Sequence, residues 1–188
     1  MLAAYGYSVD QLQIEQIGNG LINQTWKLSD GEHAWVLQRI NETVFKQPEQ
    51  IASNIQQIAA HLTAHAPNYL FTKPIQTTDG KEMVLVEEGY YRLFPFIAGS
   101  KTIDVVQTAA QAYEAAFQFG QFTALLHDFD VNQLATTIPQ FHDLTYRYEQ
   151  FQTALQTGDV NRIAAAKELI DFLEQQQSIV TTYQQIQQ

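Results

Sequence analysis

Apolar and polar positions alternate along much of the first hundred residues. Leu12 and Ile14 alternate with polar neighbours in "QLQIEQIG" (11–18), Trp26 and Leu28 do so in "TWKLS" (25–29), and "HAWVLQRI" (33–40) is rich in apolar and aromatic residues. A repeat of two sends every second side chain to one face, so each stretch predicts a strand. "SDGE" between the last two predicts a tight hairpin, because Asp-Gly readily supplies positive φ angles. The repeat then changes: after Pro48, Ile51, Ile55, Ile58 and Leu62 recur at helical spacing, with "HAPN" as the stop. "YLFTKPIQT", a "TDGK" turn, "EMVLVE" and "YYRLFPFI" return to strand character, with Pro74 marking an edge or a strand end.

Beyond "PFIAGSKTID" the pattern is helical. Residues 104–127 place Phe119, Phe122 and Leu126 on one stripe, 139–156 start at Pro139, and 159–187 start with Asp159 as an N-cap after Gly158. The expected organisation is a β-rich lobe over 1–95, a hinge over 96–103 and a partial helical lobe over 104–188. The fold class is α+β, with an antiparallel sheet interrupted by one inserted helix.

Composition narrows the chemistry. With 45% hydrophobic and 12% aromatic residues the 188-residue chain can bury a core. No apolar run approaches the roughly 18–20 residues that span a bilayer, and the N-terminus lacks the pattern of a secretory signal, so a soluble, cytoplasmic protein is expected. No cysteine is present, which excludes disulfides, thiolate nucleophiles and cysteine-ligated zinc. A net charge of −10 with only ten Lys and Arg argues against nucleic acid or an anionic membrane as partner. A small phosphorylated ligand remains compatible, because a local site can supply backbone N–H groups and a few cations.

"GNGLIN" (18–23) resembles G-x-G-x-x-G, with Gly18, Asn19 and Gly20 in the loop and Asn23 in the third glycine's place. Asn tolerates left-handed backbone better than most residues. A dinucleotide fold needs a helix directly after the glycines; here a strand follows, as in the glycine-rich loop that covers ATP phosphates in kinases. Such loops come with a cation on the third strand. Aligning "VLQ" with V-A-I-K puts Gln38 in the lysine's place, and a shift of one residue puts Arg39 there. The two face opposite sides of a strand, so only one can serve, and Gln38 is favoured as a neutral hydrogen-bonding partner. Its helix partner is open between Glu49 and Asn54, the latter otherwise read as exposed. Backbone groups around Phe94, Phe96 and Ile97 suit an adenine edge, or else a plain linker. His142, Asp143 and Arg147 among aromatics suit a polyol pocket, or else helix packing. "HDFDVN" (127–132) mimics kinase and metal motifs at the wrong spacing and reads as a solvated helix terminus.

Together "GNGLINQTW", "WVLQRIN", "YRLFPFIAGS" and the "FGQFTALLHDF" and "IPQFHDLTYRYEQFQTAL" segments resemble the aminoglycoside phosphotransferase and choline kinase superfamily, within it the N-acetylhexosamine 1-kinase branch, from about residue 10 to 175. The resemblance implies a two-lobed, protein-kinase-like fold, ATP in the cleft, Mg²⁺, and γ-phosphoryl transfer to a sugar hydroxyl. It also implies that the H-x-D segment with its Asn, and the later Asp that holds Mg²⁺, follow the helices in which this sequence ends. The chain is therefore expected to be an N-terminal portion that binds nucleotide, catalyses poorly alone and self-associates through apolar surface. A non-catalytic kinase-like interaction module is the alternative.

Overall fold

A computed structural model describes residues 1–8, 12–18, 20–87 and 89–187. The chain divides into two compact units, Met1–Thr137 and Ile138–Gln188. The first is built on strands β1 (Gln13–Gln16), β2 (Gln24–Ser29), β3 (Ala34–Arg39), β4 (Val84–Val86) and β5 (Gly89–Pro95). They form one sheet in the order β1-β2-β3-β5-β4, antiparallel throughout.

The expected alternation decides which face is buried. Leu28 pairs with Trp35, and Leu37 with Leu93, so these four share a face. They form the core together with Leu2 and Tyr5 from a 3-10 turn at Leu2–Tyr5. Leu93 is 0% exposed and Leu28 is 1% exposed. Tyr7 lies against Trp35 with ring centroids 4.6 Å apart. The Tyr5 hydroxyl, carried into this apolar layer, donates to the Tyr91 carbonyl at 3.1 Å, as a buried phenol must. Burial pushes its pKa up to about 12.

The β2–β3 hairpin forms at the Asp-Gly signal. Gly31 has φ 98°, and Asp30 Oδ1 accepts from the N–H groups of Glu32 (2.9 Å) and His33 (2.7 Å). The 69–77 stretch is a correction: instead of a strand it makes a single bridge, Ile75 to Leu93. Pro74 has no N–H for a ladder, so the pairing does not extend. Helix α1 (Pro48–His65) starts at the proline, and of its expected stripe only Leu62 is fully buried.

Helix α2 (Ala109–Leu125) is capped by Thr108, which accepts from the Gln111 N–H. Its predicted aromatic stripe is split: Phe122 stacks with Tyr69 and Phe71, whereas Phe119 is 75% exposed. In the second unit α3 (Leu144–Thr157) begins five residues after Pro139, because Gln140 has φ 57° and Asp143 supplies the cap. Asp159 caps as expected, yet 159–187 is three helices, α4 (Val160–Ala165), α5 (Lys167–Gln175) and α6 (Gln177–Ile186), broken at Ala166 and Gln176.

Candidate functional site

The glycine loop enters β2 from Gly18, whose φ of 77° a side chain rarely adopts. Asn19 lies outside the described residues. A Cβ on Gly20 would stand 3.2 Å from the Asn23 carbonyl, so the loop is closed tightly over its own backbone. Asn23 does not take the left-handed conformation; Gln140 alone does so among the described non-glycine residues. The Asn23 side chain works instead as an acceptor, taking the Asn41 N–H at 2.9 Å and tying the loop's end to the second residue beyond β3. Leu21, at 99% exposure, stands free at the tip.

Beside the loop, strand register sorts the side chains. Thr25, Gln38 and Arg92 are direct neighbours across β2, β3 and β5, on the face opposite the Leu28–Trp35–Leu37–Leu93 core. Gln38 Nε2 donates to Thr25 Oγ1 at 3.2 Å. Its Oε1 accepts from Arg92 Nε at 3.1 Å and Nη2 at 2.7 Å, so the donors on either side fix which way the amide points. The guanidinium also lies 5.0 Å from the centre of the Phe94 ring. On the same face Lys27 holds its ammonium 4.6 Å from the Phe96 ring centre. Arg92 Nη1 is buried without a hydrogen-bond partner, and burial lowers the pKa of this guanidinium from its ordinary value. No ion pair among the described residues includes it.

Arg39 belongs to the other face. Its Nη1 donates to Gln24 Oε1 at 3.3 Å, and it lines a cavity of about 340 Å³ with Ile22, Gln24, Asn41, Glu42 and Thr43. Neither helix candidate pairs with Gln38. Glu49 accepts a hydrogen bond that raises the Tyr90 phenol pKa. Asn54, read as Gln38's partner or as exposed, is neither: its Nδ2 donates to the Ala135 carbonyl at 2.8 Å and its Oδ1 accepts from the Ala135 N–H at 2.9 Å.

At the end of β5, Phe94 lies opposite Val36 in the ladder. The Phe96 N–H donates to the Ala34 carbonyl at 3.1 Å, and the Ile97 carbonyl accepts from the Ser100 N–H at 3.1 Å. In the second unit, Asp143 Oδ1 accepts from the Tyr146 N–H and thereby caps α3. Arg147 Nε donates to the Phe141 carbonyl at 3.1 Å, and the His142 ring meets Phe141 edge-on at 4.8 Å. Back in the first unit, Asp130 caps the 3-10 turn Val131–Gln133 through the Asn132 N–H at 3.0 Å. Among the described residues no group of three His, Asp or Glu side chains is placed to hold a metal ion. Nor, among the described residues, is any helix long and apolar enough to cross a membrane.

Sequence reasoning did not single out Thr25, Lys27 or Arg92. Alternation in "YYRLFPF" does put Arg92 and Phe94 on one face, but nothing in it says which β3 residue lies beside them.

The phosphotransferase enzyme family model matches residues 13–182. Among solved structures, a microcompartment-associated aminopropanol kinase is similar at 22% identity with a TM-score of 0.52, over 74% of this chain and 41% of its own. Spectinomycin phosphotransferase APH(9)-Ia, solved with ADP and spectinomycin, is similar at 18% identity with a TM-score of 0.56, over 95% of this chain and 51% of its own. The chain thus spans about half or less of these two proteins, and the likeness extends to a protein-kinase-like α+β fold.

Proposed function

Because the chain belongs to the phosphotransferase enzyme family, we propose that it is the nucleotide-binding portion of an ATP-dependent kinase acting on a hydroxyl of a small sugar. The acceptor is an N-acetylhexosamine, in keeping with the branch that "LQRIN" and "RLFPFI" resemble. One observation carries this reading. The glycine loop runs into a sheet face that holds two cations, Lys27 and Arg92, each against an aromatic ring, and a fixed amide, Gln38. A polyphosphate needs donors and positive charge, and an adenine needs an apolar face with backbone partners at its edge.

In this reading the backbone of Gly18 and Gly20 covers the phosphates, with Asn23 holding the loop's exit; Asn19, assigned to the same loop, lies outside the described residues. Gln38 rather than Arg39 faces the nucleotide, since Arg39 is on the core side of the sheet. Phe94 and Phe96 flank the base, and the backbone near Ile97 meets its edge. His142, Asp143 and Arg147 contact the sugar, and Mg²⁺ accompanies the nucleotide. Phosphoryl transfer depends on positioning and charge stabilisation, so the transfer step belongs to a protein that also carries the base and metal ligands of the family.

The test is thermal unfolding with Mg-ATP and Mg-ADP. At a nucleotide concentration a hundredfold above Kd, linkage stabilises by about 2.7 kcal/mol, which raises Tm by roughly 5–10 °C for a chain of this size. No shift at several millimolar nucleotide would sink the proposal. ADP release with N-acetylhexosamines then reads the acceptor. ATP binding without release for any sugar, in a protein of the relatives' full length, points to the interaction-module alternative.

A further inference from the structure

Position 38 carries the side chain aligned with the kinase lysine, and that side chain is a neutral amide. A neutral amide cannot balance a polyphosphate. Yet the sheet face at this point is not neutral, because Gln38 Oε1 takes two hydrogen bonds from the Arg92 guanidinium one strand away. This geometry is specific: two donors on one side of a planar fork converge on one oxygen, and Thr25 Oγ1 accepts from the amide's other end. The row Thr25–Gln38–Arg92 therefore holds the guanidinium in a set orientation, with Phe94 beside it.

What the row lacks is negative charge. Nη1 is buried without a partner, and no carboxylate pairs with Arg92 among the described residues. Arginine does not escape by losing its proton. A partly buried cation facing only an amide oxygen and a ring is destabilising for the fold, and an apolar residue of similar size would suit the sheet better. Nη1 itself is closed to solvent, so an arriving anion offsets the deficit through the remainder of the half-buried side chain. Thr25 is the second residue of β2, directly after the glycine loop, so the row begins beside the loop's exit.

We propose that Arg92, oriented by Gln38, is the cation that contacts the nucleotide's phosphates, supplying from β5 the charge that a β3 lysine supplies in other kinases. This assignment rests on the nucleotide-binding reading above. Arg92 is the binding residue and Gln38 a positioning residue.

The experiment compares ADP, by isothermal titration, with adenosine, by ligand-detected NMR, in the unchanged chain and in R92M and Q38E. R92M removes the cation at similar volume. It should weaken ADP about ten- to a hundredfold, the worth of a charge-assisted contact, and leave adenosine within about twofold. Q38E keeps the shape and neutralises Arg92 with an ion pair. It should raise Tm while weakening ADP to a similar degree, an opposition of signs that a merely structural role does not produce. An unchanged ratio of ADP to adenosine affinity in both variants overturns the Arg92 assignment and leaves nucleotide binding standing. Failure of the unchanged chain to bind either ligand overturns both.

Discussion

Asn54 offers a direct measure of how α1 is held. Its side chain makes a paired contact with one residue, Ala135, 81 positions away: Nδ2 to the carbonyl at 2.8 Å and the Ala135 N–H to Oδ1 at 2.9 Å. Asn54→Ala removes both bonds and leaves a partly buried N–H and C=O without their partners. At about 1 kcal/mol net for each bond, the loss is about 2 kcal/mol. Asn54→Asp is the sharper probe, because it keeps the shape and the acceptor for the Ala135 N–H but turns the donor into an oxygen facing the Ala135 carbonyl. At pH 7 it should cost at least as much as the alanine change. Part of that loss should return as the pH falls below about 4 and the carboxyl regains a proton. Both tryptophans, Trp26 and Trp35, lie in the sheet of the same unit, so urea unfolding followed by tryptophan fluorescence reports on that unit. With an m-value of about 1–3 kcal/mol/M, a 2 kcal/mol loss lowers the midpoint by roughly 1 M. An Asn54→Ala midpoint within about 0.2 M of the parent at equal m refutes the clamp. A change in ADP affinity without a change in stability would return Asn54 to the ligand side of the sheet.

Two further outcomes follow from the core. Leu93→Ala, at a side chain with 0% exposure between Leu37 and Ile75, should cost about 2–5 kcal/mol in the same urea assay, and a loss under 1 kcal/mol would show that the sheet is not sealed there. Tyr5 has its pKa raised by burial from 10.0 to about 12. The unfolded chain therefore releases this proton first, so stability is full below pH 10 and falls between pH 10 and 12, by at most about 2 kcal/mol once solvent screening of the part-exposed hydroxyl is allowed for. Tyr5→Phe should flatten that limb of the pH profile.

The first three strands and the start of α1 were legible because each is a local matter. Period-two alternation gave β1 to β3, Asp30-Gly31 gave the hairpin, and Pro48 gave the helix start. The 69–77 stretch misled because its apolar content suits a strand while Pro74 withdraws a donor, and only Ile75 finds a partner on β5. The C-terminal helices misled for the opposite reason. Ala166 and Gln176 are good helix formers, and no residue there announces a break. Alanine's propensity is a weak local preference, which tertiary packing readily overrides.

The site divides along the same line. The glycine loop is legible in part: Gly18 and Gly20 meet its demands on backbone conformation and space locally, whereas Asn23 takes no left-handed backbone and accepts from the Asn41 N–H instead. Gln38 and Arg39 could not be separated locally, since a shift of one residue exchanges their faces and both choices leave a plausible strand. What separates them is pairing with residues 13 positions before and 54 positions after Gln38, through Thr25 and Arg92. From the sequence, an amide in the lysine's place looks like lost charge. Across the sheet it is an acceptor that sets the direction of a guanidinium on the next strand, so the face keeps a cation. The residue to examine at such a position is therefore its cross-strand neighbour, because under the assignment proposed above an amide and an arginine side by side present the charge that a single lysine presents alone.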